Sequence, residues 1–306
     1  MTSPATWRSR AVEAWRSLDA AGIRPTRSGL AVREPGRRRR EPLWPFSQVL
    51  HATVAVAPYD AAARDRLPGL WSALEDYRRG EGYAERPRMR TRYYDDDAWV
   101  ALAALDAGDR ALAARVLEFL RTGVRDGGGV LWVEGGATLN ACSTGATGLV
   151  AARLHGPDDP VAHGAADFLL RLRDGDGLVA DHVRADGSVD GRVFAYNQGL
   201  LVALLHAVGR TDEALDHARR TAAAFDRDRL WSHPAVFVGI LLREVVVLLR
   251  DRPDTDLSAY VDDYLDRVWH ESRTASGLLV GGGIGRYDSG TLLDHAGLVT
   301  ALAALA

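Results

Sequence analysis

The sequence has no lysine; all 38 of its basic residues, in a chain of 306, are arginine. That removes Schiff-base catalysis and the phosphate-binding lysine of nucleotide loops. It has one cysteine, Cys142, which excludes an intramolecular disulfide and any cysteine-based zinc cluster. Charge of either sign fails to prevail, at a formal net −3, so nothing suggests nucleic acid or a membrane surface as a partner. No apolar run approaches the roughly 20 residues of a transmembrane helix. The opening MTSPATWRSRAVEAWRSLDAAG is an amphipathic, arginine-bearing helix without the apolar centre of a signal peptide. The expected location is the cytoplasm.

What remains is helical. No alternating strand run exceeds a few residues. Caps and breakers predict about twelve helices, over roughly 6–21, 44–57, 60–79, 95–107, 108–123, 140–155, 158–173, 195–208, 210–226, 233–250, 255–272 and 289–306. They alternate in kind. Every second one, as in AWVALAALDAG, GLLVALLHAVG and AVFVGILLREVVVLL, is apolar all round and must be buried all round. The others, such as DEALDHARRTAAAFDRDR, need a partner on one side only. Six such pairs read as six helical hairpins. An open stack would need polar end caps, yet the last helix, GLVTALAALA, is among the most apolar. Ring closure supplies its missing neighbour. The expectation is an all-α (α/α)6 barrel, one domain over residues 1–306. The segment REPGRRRREP (33–42) reads as a solvated charged loop.

The entries to the apolar helices are rich in rings and polar groups: LWPFSQ, YYDDDAW, TLNACSTG, FAYNQG, LWSHPAVF and SGTLLDHAG. In a ring of antiparallel hairpins the inner helices run one way, so these starts meet at one rim. Candidate ligand-binding residues there are Trp44, Gln48, Tyr94, Asn140, Tyr196, Asn197, Gln198 and Asp294, joined by Trp132 from the glycine-rich loop 126–136. Glycines in that loop and in 277–290 permit close approach to a ligand. Rings with amides and carboxylates around a concave site suit a sugar. The competing account is helix capping. It explains one acid per helix well, but not three in a row behind two tyrosines.

Asp95 and Asp96 are the candidate catalytic pair. Neighbours entering a helix project about 100° apart, which can bring their carboxyl groups to roughly 5–6 Å. Retaining glycosidases use that separation, one carboxylate attacking the anomeric carbon while the other protonates the leaving oxygen. Like charges so close push one pKa up, and the helix N-terminus favours keeping the other ionised. Asp97 points further round, as a cap or a support.

YYDDDAWVALA, with LWPFSQ upstream and GGGVLW, FAYNQG and LLDHAGLV downstream, resembles glycoside hydrolase family 76, the α-1,6-mannanases, across nearly the whole chain and in the same order. The resemblance implies the (α/α)6 barrel and retaining cleavage of α-1,6-mannosidic bonds. It implies Asp95 as nucleophile, Asp96 as acid/base, and Tyr196, Asn197 and Gln198 along the cleft. The partner it implies is an oligo- or polysaccharide α-mannoside; family members are often exported. No cofactor or metal is expected: the histidines lack zinc spacing, GGGIG follows no strand, and 173–190 lacks the calcium-loop ligand order. That last stretch reads as a turn or hairpin walling the cleft. Arg243 and Glu244 read as a buried ion pair, and Cys142 as a packing residue. Two other functions fit the same architecture. One is a sugar epimerase or isomerase relying on His233 and His295; the other is a sugar-binding protein or transglycosidase.

Overall fold

The computed structural model describes residues 2–26, 29–282 and 291–306. Among them are thirteen helices, twelve of which alternate between an outer and an inner layer. The inner ones are α2 (Leu43–Val56), α4 (Tyr94–Asp106), α6 (Ala141–His155), α8 (Ala195–Ala207), α11 (Ala235–Asp251) and α13 (Thr291–Ala304). Each packs on the next, and α13 returns to α2, so the ring is closed. The outer layer is α1 (Pro4–Gly22), α3 (Ala61–Leu74), α5 (Arg110–Arg121), α7 (Pro160–Arg171), α9 (Thr211–Ala224) and α12 (Thr255–Glu271). This is an (α/α)6 barrel, with the apolar helices inside as their all-round hydrophobicity requires.

Close packing of the inner ring uses glycine where backbones meet. A Cβ on Gly239 of α11 would stand 2.4 Å from the carbonyl oxygen of Gly297 in α13, closer than any side chain tolerates. The two layers also differ in how their helices begin. Five outer helices take side-chain caps, from Ser3, Asp60, Asp109, Asp159 and Asp254. The inner helices α2, α4, α6, α8 and α11 have none. The polar residues at the inner starts are therefore not spent on capping.

The structure departs from the sequence reading in three places. A five-residue helix, α10 (Arg227–Trp231), precedes α11 and is too short to show periodicity. The helix expected over 60–79 ends at Leu74, giving way to a 3-10 turn at Glu75–Tyr77 and a hairpin, β3 (Arg78–Arg79) with β4 (Gly82–Tyr83). Short strands also occur elsewhere: β1 (Ile23–Thr26) pairs β2 (Gly29–Val32), and β5 (Leu139–Asn140) pairs β6 (Ala180–Val183), which pairs β7 (Val189–Val193). The β6–β7 hairpin is the one expected from 173–190. Strands of two to five residues are too brief for alternation to register.

Candidate active site

A cavity of about 1000 Å³ opens at the end of the barrel where the inner helices begin. All six starts contribute to it: Trp44, Asp95 with Asp96, Cys142, Tyr196, Phe237 and Leu293. Asp95, Cys142 and Tyr196 are each the second residue of their helix, and so is Trp44. In these four helices the second position faces the cavity; in α11 and α13 the third does, at Phe237 and Leu293.

Two residues further on, about 200° round the helix, the side chains do something else. Asp97 accepts the Tyr83 N–H at 2.7 Å and Thr144 accepts that of Val130 at 2.9 Å. Gln198 accepts the Val179 N–H at 2.8 Å, and His295 Nδ1 accepts that of Leu279 at 2.8 Å. In each case an inner helix anchors the turn that follows an outer helix. The pattern recurs around the ring and gives these four residues a structural task. His295 also donates from Nε2 to the Ala14 carbonyl at 2.8 Å, and burial pushes its pKa down to about 4, so it is a neutral tether. The Gln198 amide further donates to the carbonyls of Val179 and Phe194.

The candidates from sequence consequently divide. Trp44, Asp95, Asp96, Trp132, Asn140 and Tyr196 line the cavity together. Gln48, Tyr94, Asn197, Gln198 and Asp294 lie outside its lining. Tyr94 is buried against Phe119, rings stacked at 4.7 Å, with its hydroxyl 3.1 Å from Thr122 Oγ1. Asp294 accepts the Val236 N–H at 3.0 Å, tying α13 to α11. Gln48 and Asn197 are buried within the ring. Gln48 follows Trp44 by one turn of α2, deeper in the ring than the lining. Within loop 126–136, Gly128 (φ +87°) serves packing, since a Cβ there would meet the Gly164 carbonyl oxygen at 2.0 Å. Residues 283–290 of the second glycine-rich loop lie outside the described residues.

Several lining residues were not singled out from sequence. Phe237 stacks between Trp44 (centroids 6.0 Å apart) and Tyr196 (4.3 Å), forming an aromatic band. Tyr93 and Trp132, 5.0 Å apart, form a second ring pair. Asp181, His182 and Arg192 reach in from the β6–β7 hairpin, with His182 Nδ1 3.0 Å from Asp181. Cys142, expected only to pack, is buried yet lines the cavity beside Asp95. The run Arg37–Arg40, read as merely solvated, lines its mouth.

The carboxyl pair has a distinctive electrostatic setting. Burial raises the Asp95 pKa to about 6, opposed by the Cys142 thiol, the backbone N–H groups of the helix start and the Trp132 indole. Asp96 is pushed well above the usual carboxylate range by burial, then by the charges of Asp95, Asp97 and Glu85. Only raising influences act on it. At neutral pH the arrangement favours a proton on Asp96 and a charge on Asp95, two roles from two identical side chains. Among the described residues no group of three or more His, Cys, Asp or Glu side chains could hold a metal, and no helix is long and apolar enough to cross a membrane.

Solved structures share this architecture over the whole chain. A family 76 glycoside hydrolase from a bovine Bacteroides thetaiotaomicron strain superposes with a TM-score of 0.84 at 18% identity, covering 99% of this chain and 78% of that one. The chain has the family 76 glycoside hydrolase fold. An inactive α-1,6-mannanase variant of Salegentibacter sp. HEL1_6, with two consecutive aspartates replaced by asparagine and α-1,6-mannotriose bound, matches with a TM-score of 0.78 at 19% identity, covering 98% of this chain and 100% of that one. A D-mannose isomerase shares the fold more distantly, with a TM-score of 0.71 at 12% identity and 97% of both chains covered. No family model and no curated protein matches the sequence.

Proposed function

We propose that this protein is a retaining glycoside hydrolase of family 76 type that cleaves α-1,6-mannosidic bonds. One observation carries the reading: two consecutive carboxyls, Asp95 and Asp96, face a ring-walled cavity, uncapped and with their pKa values pushed apart. Asp95 attacks the anomeric carbon as the Asp96 proton passes to the leaving oxygen, giving a mannosyl ester on Asp95 and a free shorter chain. Asp96 then takes a proton from water, which opens the ester and restores both residues. Trp44, Phe237 and Tyr196 offer ring faces to the apolar faces of the sugar. Asn140 and Asp181 meet its hydroxyls.

The isomerase reading shares the fold and has less support from the histidines on which it relies. It needs free histidines, whereas both nitrogens of His295 are bonded to backbone and His233 packs edge-on against Phe225, outside the cavity lining. His182 is the histidine that lines the cavity among the described residues.

Purified protein incubated with α-1,6-mannotriose should release mannose or mannobiose. Proton NMR in early turnover should show the α-anomer first. Initial β-anomer would mean that water attacks directly and that another carboxylate is the base. Conversion of D-mannose to a ketose with the triose left intact would establish the isomerase reading instead.

A further inference from the structure

The reaction above makes no use of the arginines at the cavity mouth. Arg37, Arg38, Arg39 and Arg40, from the segment between β2 and α2, line the opening, joined by Arg86 and by Arg192 of the β6–β7 hairpin. Six acids line the same cavity (Glu34, Glu41, Glu85, Asp95, Asp96 and Asp181), so the excess positive charge is confined to the exposed Arg37, Arg38 and Arg39 at the mouth, and a neutral mannan gives that charge nothing to bind. Nor does it serve the carboxyl pair, since the charged groups acting on Asp96 are all acids.

Among the described residues, the side chains of three of the six arginines have no hydrogen-bond or salt-bridge partner, though the Arg37 charge also acts on Glu41. Arg40 pairs with Asp76, Arg86 faces Glu85 at 3.8 Å, and Arg192 lies 3.1 Å from Asp181. The exposed side chains of Arg37, Arg38 and Arg39 make no hydrogen bond or salt bridge among the described residues. Their backbone, by contrast, is tied down. The Arg37 N–H closes a turn onto the Glu34 carbonyl at 2.9 Å around Gly36, whose φ is +79°. The Glu34 N–H donates to Glu41 Oε1 at 3.0 Å, while Glu34 Oε2 accepts the Leu292 N–H at 3.1 Å at the start of α13. At the other end the Tyr77 hydroxyl donates to the Glu41 carbonyl at 2.7 Å, and Arg86 to that of Arg40 at 2.9 Å. A loop that only met solvent would not need fixing to both the inner ring and the outer layer. Here the anchors decide where three guanidinium groups without hydrogen-bond partners among the described residues stand, and they stand at the lining of the cavity.

Guanidinium forks match phosphate oxygens two at a time, and a phosphate carries at least the charge of one carboxylate as a diester and more as a monoester. We propose that the substrate is an α-mannoside bearing a phosphate group, which Arg37, Arg38 and Arg39 hold while the mannosyl bond lies over Asp95 and Asp96. This rests on the glycosidase reading and names its substrate class. The phosphate has two chemical sources, a monoester substituent on the glycan or the diester of a lipid headgroup.

The test is calorimetric titration of the Asp95→Asn/Asp96→Asn double variant with three probes. They are α-1,6-mannotriose, the same triose phosphorylated at its non-reducing O6, and the triose joined through its reducing end to glycerophosphate. At low salt, one of the two phosphorylated probes should bind about tenfold or more tightly than the neutral triose. A gain for the monoester assigns a glycan substituent; a gain for the diester assigns a headgroup. That ratio should fall toward one when Arg37, Arg38 and Arg39 are all changed to Ala in the double variant. It should fall likewise at ~1 M salt, where the Debye length is about 3 Å; this arm needs no further variant to fold. Equal affinity for all three probes overturns the proposal, as does an advantage that survives both the triple change and high salt. Failure of the parent reading looks different. There, wild-type enzyme leaves neutral mannotriose uncut, while arginine-dependent binding of a phosphorylated probe persists.

Discussion

Helix α4 carries acids at both ends, and they meet opposite fates. At its start Asp95 and Asp96 are pushed up, the former to about 6. At its end the Asp106 carboxyl is held well below the usual range. Burial opposes ionisation at every one of them, so burial does not explain the difference. The helix dipole predicts the reverse, favouring an anion at the start and disfavouring it at the end by roughly 0.3–1 kcal/mol. What decides is cations. Arg243 lies 2.6 Å from Asp106 and Arg153 2.7 Å, while His51, kept neutral by burial, sits 3.5 Å away. They come from α11, α6 and α2, so the cluster ties together four of the six inner helices, including α11, which faces α4 across the ring. Arg243 also lies 3.5 Å from Glu244, the partner expected from sequence, but its shorter contact is to Asp106. One end of the barrel is neutralised and structural; the other keeps its carboxyls under strain beside the cavity.

The largest effect should separate the two ends by rate. Asp95→Asn or Asp96→Asn should lower kcat/KM on α-1,6-mannotriose by three or more orders of magnitude, as loss of a nucleophile or proton donor does. Circular dichroism should stay helical. A variant within tenfold of wild type would remove that residue from the reaction. At the opposite end, Arg243→Ala should cost roughly 1–3 kcal/mol in urea unfolding by leaving the buried Glu244 and the more exposed Asp106 under-paired, while kcat/KM stays within a few-fold. A loss of activity as large as at Asp95 would mean the ends are coupled, and the contrast between them would fail.

How far this division can be read from sequence depends on the signal each part leaves. The barrel was legible because hydrophobicity around a helix reports burial directly: the all-round apolar AVFVGILL of α11 and the amphipathic DEALDHARR of α9 cannot exchange layers. Asp95 and Asp96 stood out because a cap accounts for one acid, not three. The rest of the rim was less legible. Gln198 and Tyr196 are both plausible sugar contacts by type. Only the helical phase separates them, since one faces the cavity and the other anchors a turn. Phase at a helix start depends on where the first turn begins, and an inner helix without a side-chain cap leaves no mark of it. Arg37–Arg40 looked solvated because their placement depends on contacts made by Glu34 and Glu41 with distant segments. A signal for Asp97 and His295 does exist in retrospect: both follow a glycine-containing turn that ends in an apolar residue, as Thr144 and Gln198 do.

The smallest expected effect probes the strained end through stability. The folded Asp95 pKa, about 6, lies above its ordinary 3.8, so the folded state binds the extra proton. Its stability should therefore fall as pH rises through that window and stay lower above it. Asn does not titrate. Relative to wild type, Asp95→Asn should be neutral near pH 4 and gain on the order of 1–2 kcal/mol by pH 7, below the ceiling of about 1.4 kcal/mol per unit because the side chain keeps some exposure. The far end does not interfere. Asp106 is depressed, so its contribution is complete above the unfolded value of 3.8 and is lost only as pH falls below it. The buried His217 and His295, with pKa values lowered to about 3 and 4, titrate alike in both proteins and cancel in the difference. Urea unfolding at pH 4 and pH 7 measures it. A gain equal at both values would trace to packing rather than charge, and Asp95 would then be no more strained than any buried amide.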